Sequence, residues 1–257
     1  MATYKKRGYK PKTKVEKEAE IIDDSTTAEV FASLDQGASR TEQWVEKNQK
    51  AIFGVIAGLL VVVLGYLAYN KFVVEPNEIE AAEEIAQAQD DFNTALTTTN
   101  TTVKDSLYNL ALTGSNGKYG LLEIADKYGS TKSGNLAKYY AGMSYLETND
   151  YQQAINFLQD FKADDAMVAP LAQGAIGDAF SQLNQTEEAI GYYEKAIRLS
   201  TNDYTTPRFL FKAGVAAIEL QQYDKAEQFL ARIKDEFGDS DYASQADLYL
   251  GKAQAAN

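Results

Sequence analysis

The amino-acid sequence predicts an all-α protein: a solenoid of paired antiparallel helices preceded by one helix suited to cross a membrane. Three observations carry this. Ala51 to Tyr69, AIFGVIAGLLVVVLGYLAY, runs for 19 residues without a charge. Beyond it Gly142, Gly177, Gly214 and Gly251 recur at spacings of 35, 37 and 37, each after an apolar residue. Cysteine and histidine are absent throughout. That removes disulfides, thiolate and imidazole metal sites, and catalysis that depends on either side chain.

Residues 1–38 have the composition of a disordered basic tail, with few large aliphatic side chains and alternating charge blocks. The first 14 residues carry six cations and no acid, with Tyr4 and Tyr9 between them. Such a tail is either a solvated topogenic segment or one drawn to anionic headgroups or ribosomal RNA. Thr27 to Leu34 can form a short helix with Val30, Phe31 and Leu34 on one side. Residues 39–72 hold a lead-in and the span itself, with Thr41 as the expected helix cap.

At about 1.5 Å per residue the 51–69 stretch reaches roughly 28 Å, close to the thickness of a bilayer's hydrocarbon. A buried soluble helix would keep more polar residues. A cleaved signal would not follow 50 residues of chain. Arg40, Lys47 and Lys50 precede the span, whereas Lys71 follows it among Glu75, Glu78, Glu80, Glu83 and Glu84. The positive-inside rule then puts the N-terminus in the cytoplasm and the long C-terminal part outside. Trp44, Tyr66 and Tyr69 suit the two interfaces. Gly54 and Gly58 form a GxxxG pair, with Gly65 further along, a face on which a partner's membrane helix can dock.

The charge is uneven: 10 Lys/Arg against 9 Asp/Glu through residue 50, and 15 against 28 after it. An outer part so acidic does not track a nucleic-acid backbone. Pro76 is expected to break the helix outside the membrane, and residues 76–98 to form a linking helix. Ile79, Ala82, Ile85 or Ala86, Phe92 and Leu96 would mark its apolar stripe, with Gln89 interrupting it. Val103 to Leu112 and Tyr119 to Lys127 are expected to pair across the turn GSNG.

Residues 103–257 carry the repeats. Ala154, Ala189 and Ala226 lie 12 residues after the first three glycines, and Leu158, Tyr193 and Leu230 four further on. NDYQQ, NQTEE and QQYDK separate the halves. This is the tetratricopeptide pattern of helix pairs with a period near 34 residues. Gly and Ala let helices A and B cross closely, and the larger residues fill the gap. Residues 241–255 add a helix A without its helix B, and 119–131 align as the helix B of a degenerate first unit. The solenoid is about 3–4 repeats and a C-terminal cap helix.

No motif supplies catalysis. GSNGKYG falls short of a phosphate-binding loop, and Asp164–Asp165 or Glu187–Glu188 are ordinary neighbours on acidic surfaces. No Ca²⁺-loop spacing occurs, and the sequons at Asn100 and Asn184 matter only in a eukaryotic secretory pathway. Binding potential lies on the concave helix-A positions. These are Leu136, Tyr139, Met143 and Leu146, then Leu171, Gly174, Asp178 and Ser181, then Arg208, Phe211, Val215 and Ile218. So apolar a face is either an open protein-binding groove or is filled by the 77–96 helix or a partner domain.

With anchor and repeats in place, the chain resembles the ancillary SecYEG translocon subunit family, the YfgM-like proteins. The resemblance rests on LAKYYAGMSYLETNDYQQAINFLQDF, APLAQGAIGDAFSQLNQTEEAIGYYEKAI and TPRFLFKAGVAAIELQQYDKAEQFLARIKDEF, within residues 136–237, together with the anchor. It implies a non-enzymatic inner-membrane subunit with a periplasmic tetratricopeptide domain and no cofactor. Its implied partners are SecYEG, a PpiD-like periplasmic chaperone and exported polypeptides, with membrane lipid around the span. No small-molecule substrate is implied. The alternative is an envelope or cell-division coordinator of the CpoB type. An enzyme working with carboxylates alone would need a cleft holding a strongly perturbed Asp or Glu.

Overall fold

The computed structural model describes residues 26–256, with side chains from Trp44 onward. The tail composition at 1–25 and the stripe of Val30, Phe31 and Leu34 lie outside what is described. The chain divides into two units, one reaching Ala68 and one spanning Tyr69–Asn257.

In the first unit α1, Thr26–Tyr69, is one continuous helix. Helix therefore begins well before Thr41: it covers the short helix expected at Thr27–Leu34 and continues without a break to the span. The apolar 51–69 side chains are not packed within the unit: Val61 and Val62 are 68% and 69% exposed. Such a surface does not remain in water. Among the described residues one helical stretch is long and apolar enough to cross a membrane.

Pro76 does not end the helix. Asn70–Val74 takes a π-helical turn, and α2, Glu75–Thr97, follows with Pro76 in its first turn. Proline is tolerated there because first-turn N–H groups lack intrahelical partners in any case. α2 is also more than a linker. It packs on α3 (Thr101–Thr113), on the short α4 (Leu121–Lys127) and on α5 (Lys132–Glu147). Its buried face is Ala81, Ile85, Ala88, Asp91, Phe92 and Ala95. Of the expected stripe, Ile85 and Phe92 are buried, whereas Ala82, Ile79 and Leu96 are exposed. The true face runs through small alanines, which permit close approach and which a search for large side chains passes over.

The acidic side chains of α2 fasten this unit. Glu78 accepts the N–H groups of Lys132 and Ser133 at 2.6 and 3.0 Å, capping α5 from another helix. Glu84 accepts the Lys118 ammonium at 2.8 Å and the Tyr119 N–H at 3.0 Å. Buried Asp91 accepts the Ser115 hydroxyl. The GSNG turn joins α3 to α4 with Gly114, Asn116 and Gly117 all at positive φ.

The three regular pairs follow: α5 with α6 (Tyr151–Asp160), α7 (Val168–Gln182) with α8 (Thr186–Leu199), and α9 (Thr205–Glu219) with α10 (Tyr223–Glu236). The cap α11, Ala243–Ala256, packs on α9 and α10. The crossing chemistry is as the spacing predicts. A Cβ on Gly142 would meet Leu158 at 2.5 Å, on Gly177 Tyr193 at 2.6 Å, and on Gly214 Leu230 at 2.7 Å. At Gly251, whose helix has no partner B, it would meet nothing within 4 Å. Ala154, Ala189 and Ala226 are fully buried at the same crossings.

The A-to-B turns share a device that composition hides. Asn149, Asn184 and Gln221 each lie seven residues after the crossing glycine and adopt φ of 64°, 57° and 60°. The following N–H returns to close the helix: Asp150 to the Tyr145 carbonyl, Gln185 to Phe180, Gln222 to Ala217, at 2.8–2.9 Å. These are Schellman closures, which want Gly or Asn at the left-handed residue.

Candidate functional site

Helices α5, α7 and α9 run side by side through the array, and their exposed faces form the concave surface. A groove of about 560 Å³ opens where these helices end. Leu146 and Glu147 come from the last turn of α5, Ser181 and Gln182 from that of α7, and Val215, Ala216 and Glu219 from that of α9. Asp178, Tyr193, Phe211 and Lys212 complete its central wall, with Asn149 and Tyr151 at the rim.

The polar centre is built across three helices. Lys212 Nζ lies 2.5 and 2.6 Å from the two Asp178 oxygens, joining α9 to α7. The Tyr193 hydroxyl, from α8, donates to Asp178 Oδ1 at 2.9 Å. Burial first, and then the adjacent Asp178 charge, push the Tyr193 phenol far above its ordinary range. It stays protonated and acts as a fixed donor. At the other end Lys104 of α3 reaches Glu147 of α5 at 2.6 Å.

Asp178, Phe211 and Val215 are thus brought together, with Leu146 and Ser181. The other expected positions lie outside this groove, half-buried except for Gly174, which is buried. Leu136 and Met143 pack against the cluster that α2 completes, where Phe92 meets the Tyr140 ring at 5.0 Å. Tyr139 is held by the rings of Tyr140 and Phe161. Leu171 and Ile218 pack on the C-terminal cluster. Arg208 stacks near Phe209 at 5.6 Å and lines a separate cavity of about 130 Å³ with Asp203, Tyr204 and Tyr242. Gly174 does not face the groove: a Cβ there would meet the buried Phe209 ring at 1.9 Å. Phe211 also touches the cap, with its ring 5.7 Å from Tyr242 and 5.4 Å from Tyr249. The 77–96 segment therefore covers the N-terminal end of the concave face and leaves the 560 Å³ groove open.

Glu147, Asn149, Gln182, Lys212 and Glu219 also line the groove, and the sequence reading missed them. Their signal is that they close helix A or sit one repeat from Asp178: Lys212 is 34 residues on. Asp165, read as a chance neighbour of Asp164, is a cap. Its Oδ1 accepts the N–H groups of Val168 and Met167, which holds its carboxyl below the ordinary range. On α1, a Cβ at Gly54, Gly58 or Gly65 would meet nothing within 4 Å. No group of three or more Asp/Glu among the described residues could hold a metal ion.

Tetratricopeptide repeat family models match residues 136–165, 172–203 and 209–240. Each match falls on one of the regular helix pairs, so this is an all-α tetratricopeptide array. Such arrays are protein–protein interaction scaffolds, and that is the class the fold and groove define. Among curated proteins, the chain is similar to "Tetratricopeptide repeat protein 29" of Macaca fascicularis, 27% identical over 114 residues. The match covers 41% of this chain and 24% of the relative, so the chain spans about a quarter of that protein's length.

Proposed function

We propose that the chain is a single-pass accessory subunit of the Sec translocon in the bacterial inner membrane. In this reading the N-terminus is cytoplasmic, and the array, in the periplasm, holds a PpiD-like chaperone or an emerging exported polypeptide. It works by binding and performs no chemistry. The observation that carries the binding role is the open groove around Asp178, Phe211 and Val215, which no described helix of the Tyr69–Asn257 unit fills. Its central polar groups, Asp178, Lys212 and Tyr193, are partnered within the protein, so the shape there is set before a partner arrives.

The translocon assignment is supported by the anchor, the charge asymmetry across it and the resemblance of residues 136–237. Gly54, Gly58 and Gly65 would form the face against which translocon or partner helices lie, since no described residue comes within 4 Å of a Cβ there. Affinity purification from native membranes in mild detergent tests this. Recovery of translocon subunits is expected. Recovery of envelope-synthesis enzymes in their place would contradict it.

A further inference from the structure

We infer that the groove selects a cationic, amphipathic segment of a partner protein, one that sets Lys or Arg beside bulky apolar side chains. The inference rests on the groove being the docking site and names the partner's chemistry. Three helix C-termini converge there, since α5 ends at Glu147, α7 at Gln182 and α9 at Glu219, and all three residues line the cavity. Each C-terminus carries about half a negative charge from its aligned peptide dipoles, and cations are favoured beside it.

Side-chain charge adds to this field. The lining holds three carboxylates: Glu147 is paired with Lys104 and Asp178 with Lys212, which leaves Glu219 as the carboxylate with no cation beside it among the described residues. Glu219 is exposed and in no ion pair among the described residues. Leu146, Phe211 and Val215 give the apolar floor between these charges. A segment that is only cationic would leave that floor wet, and one that is only apolar would leave Glu219 and the helix ends without complement.

The test uses the full chain in nanodiscs of zwitterionic lipid, with empty nanodiscs as blank. Three labelled helix-forming peptides are titrated by fluorescence anisotropy: Leu/Lys, Leu/Glu of the same pattern, and Ser/Lys. Leu/Lys is expected to bind at least about tenfold more tightly than either of the others, and more weakly as salt rises. Glu147→Gln with Glu219→Gln should weaken Leu/Lys binding about three- to tenfold, with the melting temperature confirming the fold. Glu219→Lys should narrow the gap between Leu/Lys and Leu/Glu. Leu/Glu or Ser/Lys binding as tightly as Leu/Lys, no binding by Leu/Lys, or indifference to both sets of substitutions would overturn the inference. If native partners crosslink to the groove while charge preference is absent, the docking site stands and this inference alone fails.

Discussion

Replacing Gly177 by alanine tests the repeat packing at the site's own support. The new Cβ would lie 2.6 and 2.7 Å from the Tyr193 ring and 3.2 Å from the Ala189 carbonyl oxygen. Tyr193 cannot easily retreat, because its hydroxyl is bound to Asp178 and its ring stacks on Phe209. Overpacking costs about 1–3 kcal/mol, against a helix-propensity gain of about 1 kcal/mol for glycine to alanine. The net expectation is a loss of about 1 kcal/mol. Gly251→Ala is the control: the same change in a helix A whose crossing face is open, with a gain of up to about 1 kcal/mol. For a unit this size each kcal/mol moves the melting temperature by roughly 2–4 °C. Thermal unfolding followed by circular dichroism should lower Gly177→Ala and raise Gly251→Ala. Equal shifts, or a more stable Gly177→Ala, would refute the assigned crossing.

Further outcomes follow from other parts of the array. Burial alone would raise the Glu78 carboxyl, but hydrogen bonds from Ser133 and the α5 N-terminus outweigh it and lower it below its ordinary 4.5. Its stabilising contribution is therefore present above about pH 4.5 and lost as pH falls through the depressed native value. Acid unfolding of Glu78→Gln should accordingly show a smaller stability loss than the parent across that range. Gln221→Gly should stabilise by about 0.5–1 kcal/mol, read by urea unfolding, because it relieves a left-handed residue that carries a side chain. Phe211→Asp should loosen the cap as well as the groove, since its ring lies against Tyr242 and Tyr249. Val215→Asp, at a half-buried position on the groove floor, should reduce partner binding and cost about 1 kcal/mol of stability.

The repeat register was legible because it is a packing rule written in residue size. Gly142, Gly177 and Gly214 had to face Leu158, Tyr193 and Leu230 for the helices to cross at that distance. The role of α2 was less legible. Its buried face is mostly alanine, and its acids, which look like a solvated helix start, cap α5 and hold the Lys118–Tyr119 loop. The helix-A positions were read as one groove face, and position alone did not separate those lining the groove from those held by neighbours. Phe209 took the space that Gly174 was expected to offer, and α2 took the side of Leu136 and Met143. The charge of the groove arises from where three helices end together, a tertiary fact that no single repeat displays.

The proposed docking site for a partner protein is the open groove. A photoreactive residue at Val215, introduced into the full chain in native membranes, tests it most directly. Gly191, exposed with nothing within 4 Å of a Cβ, serves as the off-groove control. Adducts with a translocon subunit, a periplasmic chaperone or an exported chain are expected from Val215, and none of these from Gly191. No adduct from Val215, or the same adducts from both positions, would contradict it.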